Sequence, residues 1–425
     1  MGKDTAALQA SRRVAAVFSL TIVASLLPGL ADAAGFSFPP WSELESIPSP
    51  AGPDSGQPHL AMSPDGTVVL SWLEPAGGGH ALRYSRLDGE TWSEPAEIAR
   101  GEDWFVNWAD FPSVVPVTDD VWAAHWLAKS ADAAYAYDVM LSVSDDAGGT
   151  WSAPFSPHTD GTPTEHGFVT LFPWQDAIGV VWLDGRNMTG GHGDNSDHGA
   201  GGMTLRSALV SPDGELLEGR LVDELVCDCC QTDAVVTEDG PLVVYRNRTE
   251  NEIRDIQAVS AAGRGWSEPV AVHDDGWEIA GCPVNGPAVS GDGRQIDVAW
   301  YTAADEPAVR FARSHDGGRT YAEPLHVDLA PRPAWGRVDV VTLEDGSSVV
   351  SYVDHTAPGR GHVMLREITA AGELSQDASF LSGDEPARQV GFPQMVRDGG
   401  ELIVAWTAAE GEASHRVHTV RVTRR

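Results

Sequence analysis

Short runs of alternating apolar and polar residues recur along the chain and predict β-strands, because a period of two places every second side chain on one face. The strongest run in each stretch of roughly fifty to sixty residues centres on an aromatic residue. No amphipathic helix of useful length interrupts the pattern, so the chain is predicted to be all-β. The seven aromatic centres are Trp72, Trp126, Trp182, Tyr245, Trp300, Tyr352 and Trp406.

Each repeat carries four strand signals that are separated by turns. In the first repeat a turn at residues 63–66 separates the first two signals, and the predicted strands are residues 59–62, 68–73, 82–85 and a segment after Trp92. A period near fifty residues with four strands per repeat is typical of β-propeller blades. The sequence therefore predicts a β-propeller with seven four-stranded blades, and six blades are the alternative.

The last repeat, residues 391–422, supplies only three strands. Residues 41–46 begin with Trp-Ser-Glu, and the same three letters open the fourth-strand segment of the first repeat at Trp92. We therefore predict that residues 41–46 provide the missing strand and close the ring. Such closure removes the unpaired edge that an open ring would expose.

An eight-residue turn motif, S-x-D-x-G-x-T followed by an aromatic residue, occurs at residues 144–151 and again at residues 314–321. Degenerate copies occupy residues 85–92 and 260–266. Glycine permits the tight turn, and the Ser and Asp side chains can bond to the turn's own backbone. The motif resembles the Asp-box of the sialidase-like (BNR repeat) β-propeller superfamily, of the secreted bacterial type. The resemblance implies that the boxes lie on one face and that ligands bind on the opposite face.

Residues 1–33 have the pattern of an export signal. Arg12 and Arg13 precede an apolar run over residues 14–30, and an A-x-A cleavage site follows at residues 31–33. Twin-arginine export remains one possible route. Residues 34–425 are then predicted to form one propeller domain. No other apolar run is long enough to span a bilayer, so a secreted or periplasmic protein is expected.

The chain carries a formal net charge of -34. Such a surface argues against binding to nucleic acid or anionic membranes. We expect a monomer whose partner is a small molecule or a glycan.

Connections on the predicted ligand face carry polar and aromatic residues that are costly to bury unless they bind something. A glycine-rich run over residues 192–198 is interpreted as a loop, with metal contact as the weaker alternative. The candidate ligand-binding residues are Trp108, His166, Arg186, Arg246 and Arg337.

The four cysteines are the sharpest chemical signal. Cys227, Cys229 and Cys230 fall in one loop, and Cys282 lies in the equivalent loop of the next blade. Two disulfides are one interpretation, because the protein is expected to be exported. The other is a copper or zinc site that is formed by thiolates together with His166. The C-x-C-C spacing does not match the common zinc motifs.

The resemblance to sialidases also implies a catalytic set. Three arginines would hold a carboxylate, and the matching candidates here are Arg186, Arg246 and Arg337. Tyr137 would be the nucleophile, and Glu165 and Asp110 would carry protons. Two departures are that sialidases have six blades and that the Arg-Ile-Pro motif of their first blade is absent here.

The leading hypothesis is therefore a propeller that binds a small or glycan-like ligand or a soft metal at its mouth. The alternatives are a sialidase-type glycoside hydrolase and a non-catalytic interaction platform. Whether any reaction is catalysed stays open from the sequence alone.

Overall fold

The structure is a computed structural model, and it describes residues 40–188, 201–263, 265–329, 333–411 and 414–425. The chain divides into two compact units, Met1–Ser37 and Phe38–Arg425, and every described residue belongs to the second. The predicted export signal and the run over residues 192–198 lie outside the described residues.

Antiparallel strands account for nearly all regular structure in the described residues, and they form seven blade sheets in chain order and one further two-stranded sheet. After β1 (Trp41–Ile47), blade 1 contains β2 (Gly56–Met62), β3 (Val68–Ala76), β4 (Gly79–Asp88), β5 (Thr91–Trp92) and β6 (Ala96–Gly101). Blade 2 contains β7 (Ser113–Pro116), β8 (Trp122–Lys129) and β9 (Tyr137–Ser144). Blade 3 contains β10 (His166–Trp174), β11 (Ala177–Asp184), β12 (Met203–Val210) and β13 (Leu216–Val226).

The remaining blades follow the same plan. Blade 4 contains β14 (Asp233–Thr237), β15 (Gly240–Arg246), β16 (Ile256–Ala262), β17 (Gly265–Trp266) and β18 (Val270–His273); blade 5 contains β19 (Ala288–Asp292), β20 (Gln295–Thr302), β21 (Ala308–Ser314) and β22 (Leu325–His326); blade 6 contains β23 (Ala334–Thr342), β24 (Ser348–Asp354), β26 (Val363–Ile368) and β27 (Ser379–Phe380), with a ribbon of β25 (Arg360–Gly361) and β28 (Glu385–Pro386) beside it; blade 7 contains β29 (Gln394–Asp398), β30 (Glu401–Ala409), β31 (His415–Arg424) and β1.

The prediction of a seven-bladed all-β propeller is confirmed. One short helix, α1 (Ala387–Val390), is present in the described part of the chain. Among the described residues, no helix has the length and hydrophobicity needed to cross a bilayer. In the first blade the alternating pattern locates the strands but underestimates their length. The observed strands contain the predicted ones and extend beyond them into polar residues.

The N-terminal strand closes the ring as predicted. β1 pairs antiparallel with β31, so that Leu44 faces Val422 and Ile47 faces Thr419. Trp41 is 1% exposed, and its Nε1–H donates a hydrogen bond of 2.9 Å to Glu367 of blade 6. The last blade is thus built from both ends of the described chain.

Apolar cores lie between adjacent blades. Leu242 and Val244 of blade 4, for example, pack with Val298 and Trp300 of blade 5 in one buried cluster. Because each blade buries both faces against its neighbours, the apolar residues in the middle strands form nearly continuous runs. These cores fix the angle between blades and therefore the positions of the loops at either end of the ring.

The turn motifs have the hydrogen bonds that their sequence predicts. In the first copy Ser144 Oγ donates to Asp146 Oδ1 (2.8 Å), and Thr150 donates to Asp146 through both N–H (2.7 Å) and Oγ1 (2.8 Å). The second copy repeats the pattern around Asp316. The aromatic residue that ends each copy packs toward the preceding blade: Trp151 contacts a core that includes Tyr84.

The innermost strand of several blades begins with a bulge. Gln57, Phe168 and Arg337 occupy equivalent bulges and have φ values of 51°, 53° and 56°. This left-handed backbone is unusual for residues other than glycine. Each bulge shifts the register where the chain enters the centre of the ring, and it thereby sets the direction of the loop that precedes the strand.

Carboxylates on the innermost strands join neighbouring blades. Asp233 accepts a hydrogen bond from the backbone N–H of Val289 (2.7 Å), and Asp339 accepts one from Met395 (2.6 Å). Burial raises the pKa of Asp233 to about 7 and that of Asp339 to about 8. Both side chains line a central cavity of about 570 Å³ that is enclosed by the innermost strands.

Candidate functional site

The loops that precede the innermost strands meet at one edge of the ring, which we call the mouth. The turn motifs follow the third strand of their blades. That strand runs parallel to the innermost one, so the motifs lie at the opposite edge. The side chain of Gln231, in the loop before β14, donates a hydrogen bond of 2.6 Å to the carbonyl of Ala109, in the loop before β7. It accepts a hydrogen bond of 2.9 Å from the backbone N–H of Gly286, in the loop before β19. Blades 2 and 4 are not neighbours, so this contact reaches across the mouth.

Three cysteines converge in the loop between β13 and β14. The Sγ atoms of Cys227, Cys229 and Cys230 all lie within 4.8 Å of one another, and those of Cys227 and Cys230 are 2.7 Å apart. Cys227 and Cys230 are buried and Cys229 is half-buried. None of the three is joined in a disulfide in the structure. Three soft donors that point at one small volume are the arrangement that a thiophilic metal ion requires.

Cys282 lies beside this group at the solvent side. It is exposed, and, after burial as the largest cause, its thiol is one of the neighbouring groups that raise the pKa of Cys229. The equivalent loops of adjacent blades are therefore brought together, as the sequence predicts. The four thiols form a series from the surface to the interior.

Buried arginines surround the thiols. The Nη1 atom of Arg254 is 3.5 Å from Cys227 Sγ, and Arg254 is fully buried. Although burial raises the pKa of the Cys227 thiol, hydrogen bonds from Cys229 and Cys230 and the charge of Arg254 hold that pKa well below its usual range. Burial raises the pKa of both Cys229 and Cys230. One thiolate among protonated thiols is thus the favoured state of the metal-free site.

Acidic partners hold these arginines in place. Arg248 bonds to Asp228 at 3.1 Å and to Glu252 at 2.6 Å, and Arg254 bonds to Glu252 at 2.8 Å. Asp228 is itself fully buried within the cysteine loop. The site therefore combines fixed cations with fixed carboxylates, and its geometry is set before any ligand arrives.

Two of the three candidate arginines are already engaged by the protein. Arg246 donates to the backbone carbonyls of Asn285 (3.0 Å), Arg254 (2.6 Å) and Tyr301 (2.6 Å). Arg186 forms two bonds of 2.6 Å with Asp184 and a 3.0 Å ion pair with Asp160. Both guanidinium groups brace the fold, so the structure does not assemble a three-arginine carboxylate grip from Arg186, Arg246 and Arg337.

Arg337 differs from these two. It is buried, and its Nη1 has no hydrogen-bond partner among the described residues. Its Cζ atom lies 4.6 Å from the centre of the Trp108 ring, and Arg388 lies 5.8 Å from the same ring. Burial and the charge of Arg388 lower the pKa of Arg337 to about 10. Trp108 and Arg337 are therefore adjacent at the mouth, where they can contact a ligand.

The three candidate catalytic residues come together. The hydroxyl oxygen of Tyr137 lies 2.8 Å from Glu165 Oε1 and 3.0 Å from Asp110 Oδ2, within hydrogen-bond distance of both, and all three residues are buried. Burial, with the charge of Glu165 as a smaller cause, raises the pKa of Asp110 to about 8. Burial and both carboxylates raise the pKa of Tyr137 well above its usual value. Tyr137 therefore stays a protonated hydroxyl near neutral pH.

His166 belongs to a separate cluster, away from the cysteines. Its Nε2 atom is 3.2 Å from Asp160 and 3.8 Å from Asp184, and its Nδ1 is 3.5 Å from Asp138. His158 stacks on it with ring centres 4.0 Å apart. Among the described residues, no group of mutually close ligand atoms combines His166 with a cysteine. The cysteine site is thus a thiol site without imidazole.

Sequence reasoning missed Arg254 as a partner of the thiols, and it missed His158 and Asp160 as partners of His166. Arg254 is visible only as one charged residue in a loop of blade 4. His158 and Asp160 lie in the long connection between β9 and β10, where no periodic pattern marks them. A search for charged residues in the loops next to the cysteines would have found Arg254 but not His158 or Asp160.

No protein-family model matches the chain, and no curated protein matches it. Solved structures do resemble it. A lectin, BP39L from Burkholderia pseudomallei, has 13% identity, with 88% of this chain and 97% of that chain covered and a TM-score of 0.57. A protein of unknown function from Dyadobacter fermentans has 14% identity, coverage of 91% and 100%, and a TM-score of 0.49. A mutant of the NanB sialidase from Streptococcus pneumoniae has 13% identity, coverage of 90% and 70%, and a TM-score of 0.46.

These identities are low enough that the similarity concerns the fold alone, and of these three structures the lectin has a TM-score above 0.5. The class is thereby defined as a β-propeller with a polar, thiol-bearing mouth. What the mouth binds has to be argued from its own residues.

Proposed function

We propose that the mouth of this propeller binds a copper(I) ion through Cys227, Cys229 and Cys230. The observation that carries the proposal is the convergence of three free Sγ atoms within 4.8 Å of one another in a buried loop. Thiolates are the ligands that Cu(I) prefers, and they exclude hard cations such as magnesium. The three cysteines would hold the ion. The bound ion would act as a Lewis acid, or the site would store a soft cation.

Copper(I) is favoured over zinc by the number and burial of the thiols. Structural zinc takes four ligands in a tetrahedron, but only three sulfurs are mutually close here. Cys282, the fourth thiol, is exposed and lies near Cys229 but outside the group of three. Among the described residues, His166 is not close enough to supply a nitrogen. A three-thiolate set without a fourth ligand suits the lower coordination number of Cu(I).

The charges around the loop also support a cation–thiolate centre. Three thiolates around one Cu(I) carry two negative charges, and a buried charge needs partners. Arg246, Arg248 and Arg254 supply three positive charges beside the loop, and Asp228 and Glu252 offset two of them. The site therefore has an excess positive charge that compensates in part for the anionic centre.

Metal analysis of protein purified without oxygen tests the proposal. We expect one copper per chain after incubation with Cu(I) and removal of the excess, with three thiols protected from alkylation. Cys282→Ser is expected to leave that stoichiometry unchanged, because Cys282 is outside the three-sulfur set. Zinc bound in preference to copper, with a strong requirement for Cys282, would show that the site is tetrahedral. Absence of both metals from fully reduced protein would end the proposal.

The second candidate is a sialidase-type glycoside hydrolase or a site for a glycan-like ligand. The hydrogen bonds from Tyr137 to Glu165 and Asp110 favour it, and Trp108 and Arg337 could contact a sugar acid. The occupied guanidinium groups of Arg186 and Arg246 count against it.

For this candidate we expect no hydrolysis of a fluorogenic sialoside by the purified protein, because the carboxylate grip is incomplete and Tyr137 is fully buried. The check is a fluorescence assay in which Tyr137→Phe is the matched control. Turnover by the wild type that Tyr137→Phe abolishes would establish the hydrolase.

A further inference from the structure

The four thiols at the mouth form a graded path from solvent to core. Cys282 is exposed, Cys229 is half-buried, and Cys227 and Cys230 are buried. The thiols lie beside one another: Cys282 is near enough to Cys229 to affect its pKa, Cys229 lies within 4.8 Å of the other two, and Cys227 and Cys230 are 2.7 Å apart. A disulfide can move along such a series only if neighbouring sulfurs approach each other, and here every neighbouring pair does.

Cys227 and Cys230 also have the C-x-x-C spacing, which lets two thiols close a short ring. Arg254 lies 3.5 Å from Cys227 Sγ and is fully buried, so it stabilises negative charge on that sulfur during exchange. Binding of a metal does not require the outer thiol Cys282, since the three-sulfur set excludes it. Its position beside Cys229 therefore calls for a different explanation.

We propose that the cysteines carry out thiol–disulfide exchange with a small external disulfide, with Cys282 as the sulfur that reacts first and Cys227 and Cys230 as the pair that is finally oxidised. The reaction uses the cysteines of the proposed copper site, but it needs no copper. It is an oxidoreductase activity of the metal-free protein, and the external disulfide is the oxidant.

The exchange conserves atoms and electrons at each step. The Cys282 thiolate attacks the external disulfide, so that a mixed disulfide forms and one external thiol leaves. Cys229 attacks the Cys282 sulfur, and the second external thiol leaves with a Cys229–Cys282 disulfide in place. Cys227 then attacks the Cys229 sulfur and frees Cys282, and Cys230 attacks Cys227 and frees Cys229. In sum, two protein thiols lose two electrons and two protons to one external disulfide, which becomes two thiols.

Burial explains why the outer thiol is needed. A solute disulfide reaches an exposed sulfur but is excluded from Cys227 and Cys230, which are 0% and 1% exposed. Exchange inside the protein replaces this encounter by contact between fixed neighbours. The inner pair should therefore be oxidised much more slowly when Cys282 is absent.

The test uses the full chain, reduced, freed of metal with a chelator and exposed to glutathione disulfide without oxygen. Samples are quenched with acid and alkylated, and disulfides are mapped by mass spectrometry over time. In the wild type we expect glutathione on Cys282 first, then the Cys229–Cys282 disulfide, then Cys227–Cys230. In Cys282→Ser we expect the inner disulfide to form at least about tenfold more slowly, because buried thiols react slowly with solutes.

Cys230→Ser is the matched control. It should react with glutathione at Cys282 as fast as the wild type does and should accumulate the Cys229–Cys282 and Cys227–Cys229 disulfides, because Cys230, the last nucleophile, is missing. Because Cys282 is exposed, Cys282→Ser should leave the thermal midpoint unchanged, and that measurement excludes misfolding. An unchanged rate of inner oxidation in Cys282→Ser would overturn the proposal, as would a wild type that is modified at Cys282 without ever forming Cys227–Cys230. Neither result bears on copper binding, which the anaerobic metal analysis decides separately.

Discussion

Replacing Trp41 with alanine is expected to lower the free energy of unfolding by about 3–5 kcal/mol, the usual range for removing a buried tryptophan. Trp41 is 1% exposed, packs in the core between blades 6 and 7, and hydrogen-bonds to the buried Glu367. Its loss leaves a cavity at the seam of the ring and removes one hydrogen bond from the Glu367 carboxylate, which keeps its ion pair with Arg424. Urea denaturation followed by circular dichroism measures the change.

Leu44 on the same strand provides the control. It is 45% exposed and makes the same kind of backbone pairing with β31. Leu44→Ala should therefore change the free energy of unfolding by less than about 0.5 kcal/mol, as surface substitutions usually do. Deletion of residues 40–47 should be worse than either substitution, because it uncovers the whole edge of β31 and invites aggregation. Equal effects of the two substitutions would show that β1 contributes pairing but no core.

Cys227→Ser is expected to lower the affinity for Cu(I) by at least about 100-fold. Loss of a residue that only hydrogen-bonds to a metal ligand lowers the affinity by about 10- to 100-fold, and Cys227 is itself a proposed ligand. A serine hydroxyl does not replace a thiolate for a soft ion. Competition with a chromophoric Cu(I) chelator under nitrogen measures the affinity.

Because Cys227 is fully buried, Cys230→Ser serves as a second variant in case the first one folds poorly. Both variants should lose copper, whereas Cys282→Ser should keep it. Retention of full affinity by two well-folded variants, Cys227→Ser and Cys230→Ser, would contradict the three-sulfur assignment.

The architecture could be predicted because it depends on local patterns that repeat. Aromatic centres such as Trp72 and Trp300 mark the middle of each blade, and the Trp-Ser-Glu at the start of β1 identifies the closing strand. Strand ends were harder to place, because backbone ladders in β3 and β4 continue into polar residues that alternation does not mark. Backbone hydrogen bonds stabilise these extensions, and the backbone can form them whatever the side chain.

The candidate site could be predicted in part. Equivalence of loops between blades brought Cys282 to the other cysteines, and the resemblance to sialidases grouped Tyr137 with Glu165 and Asp110. The state of the arginines could not be inferred, because Arg246 is held by backbone carbonyls whose positions depend on three loops. The same holds for His166, whose neighbours His158 and Asp160 come from an irregular connection.

The bridge made by Gln231 links two regions of the mouth. Gln231 follows Cys230 directly, and its side chain is bonded to the carbonyl of Ala109, which follows Trp108. A ligand that shifts the cysteine loop therefore strains or relaxes the loop that carries Trp108. Thermodynamic reciprocity then requires equal effects in both directions. If a metal at the thiols changes the affinity for a ligand at Trp108 by some factor, that ligand changes the affinity of the thiols for the metal by the same factor. If the thiols and Trp108 both bind ligands, as proposed, this hydrogen bond would let the propeller respond to the two ligands as one coupled equilibrium.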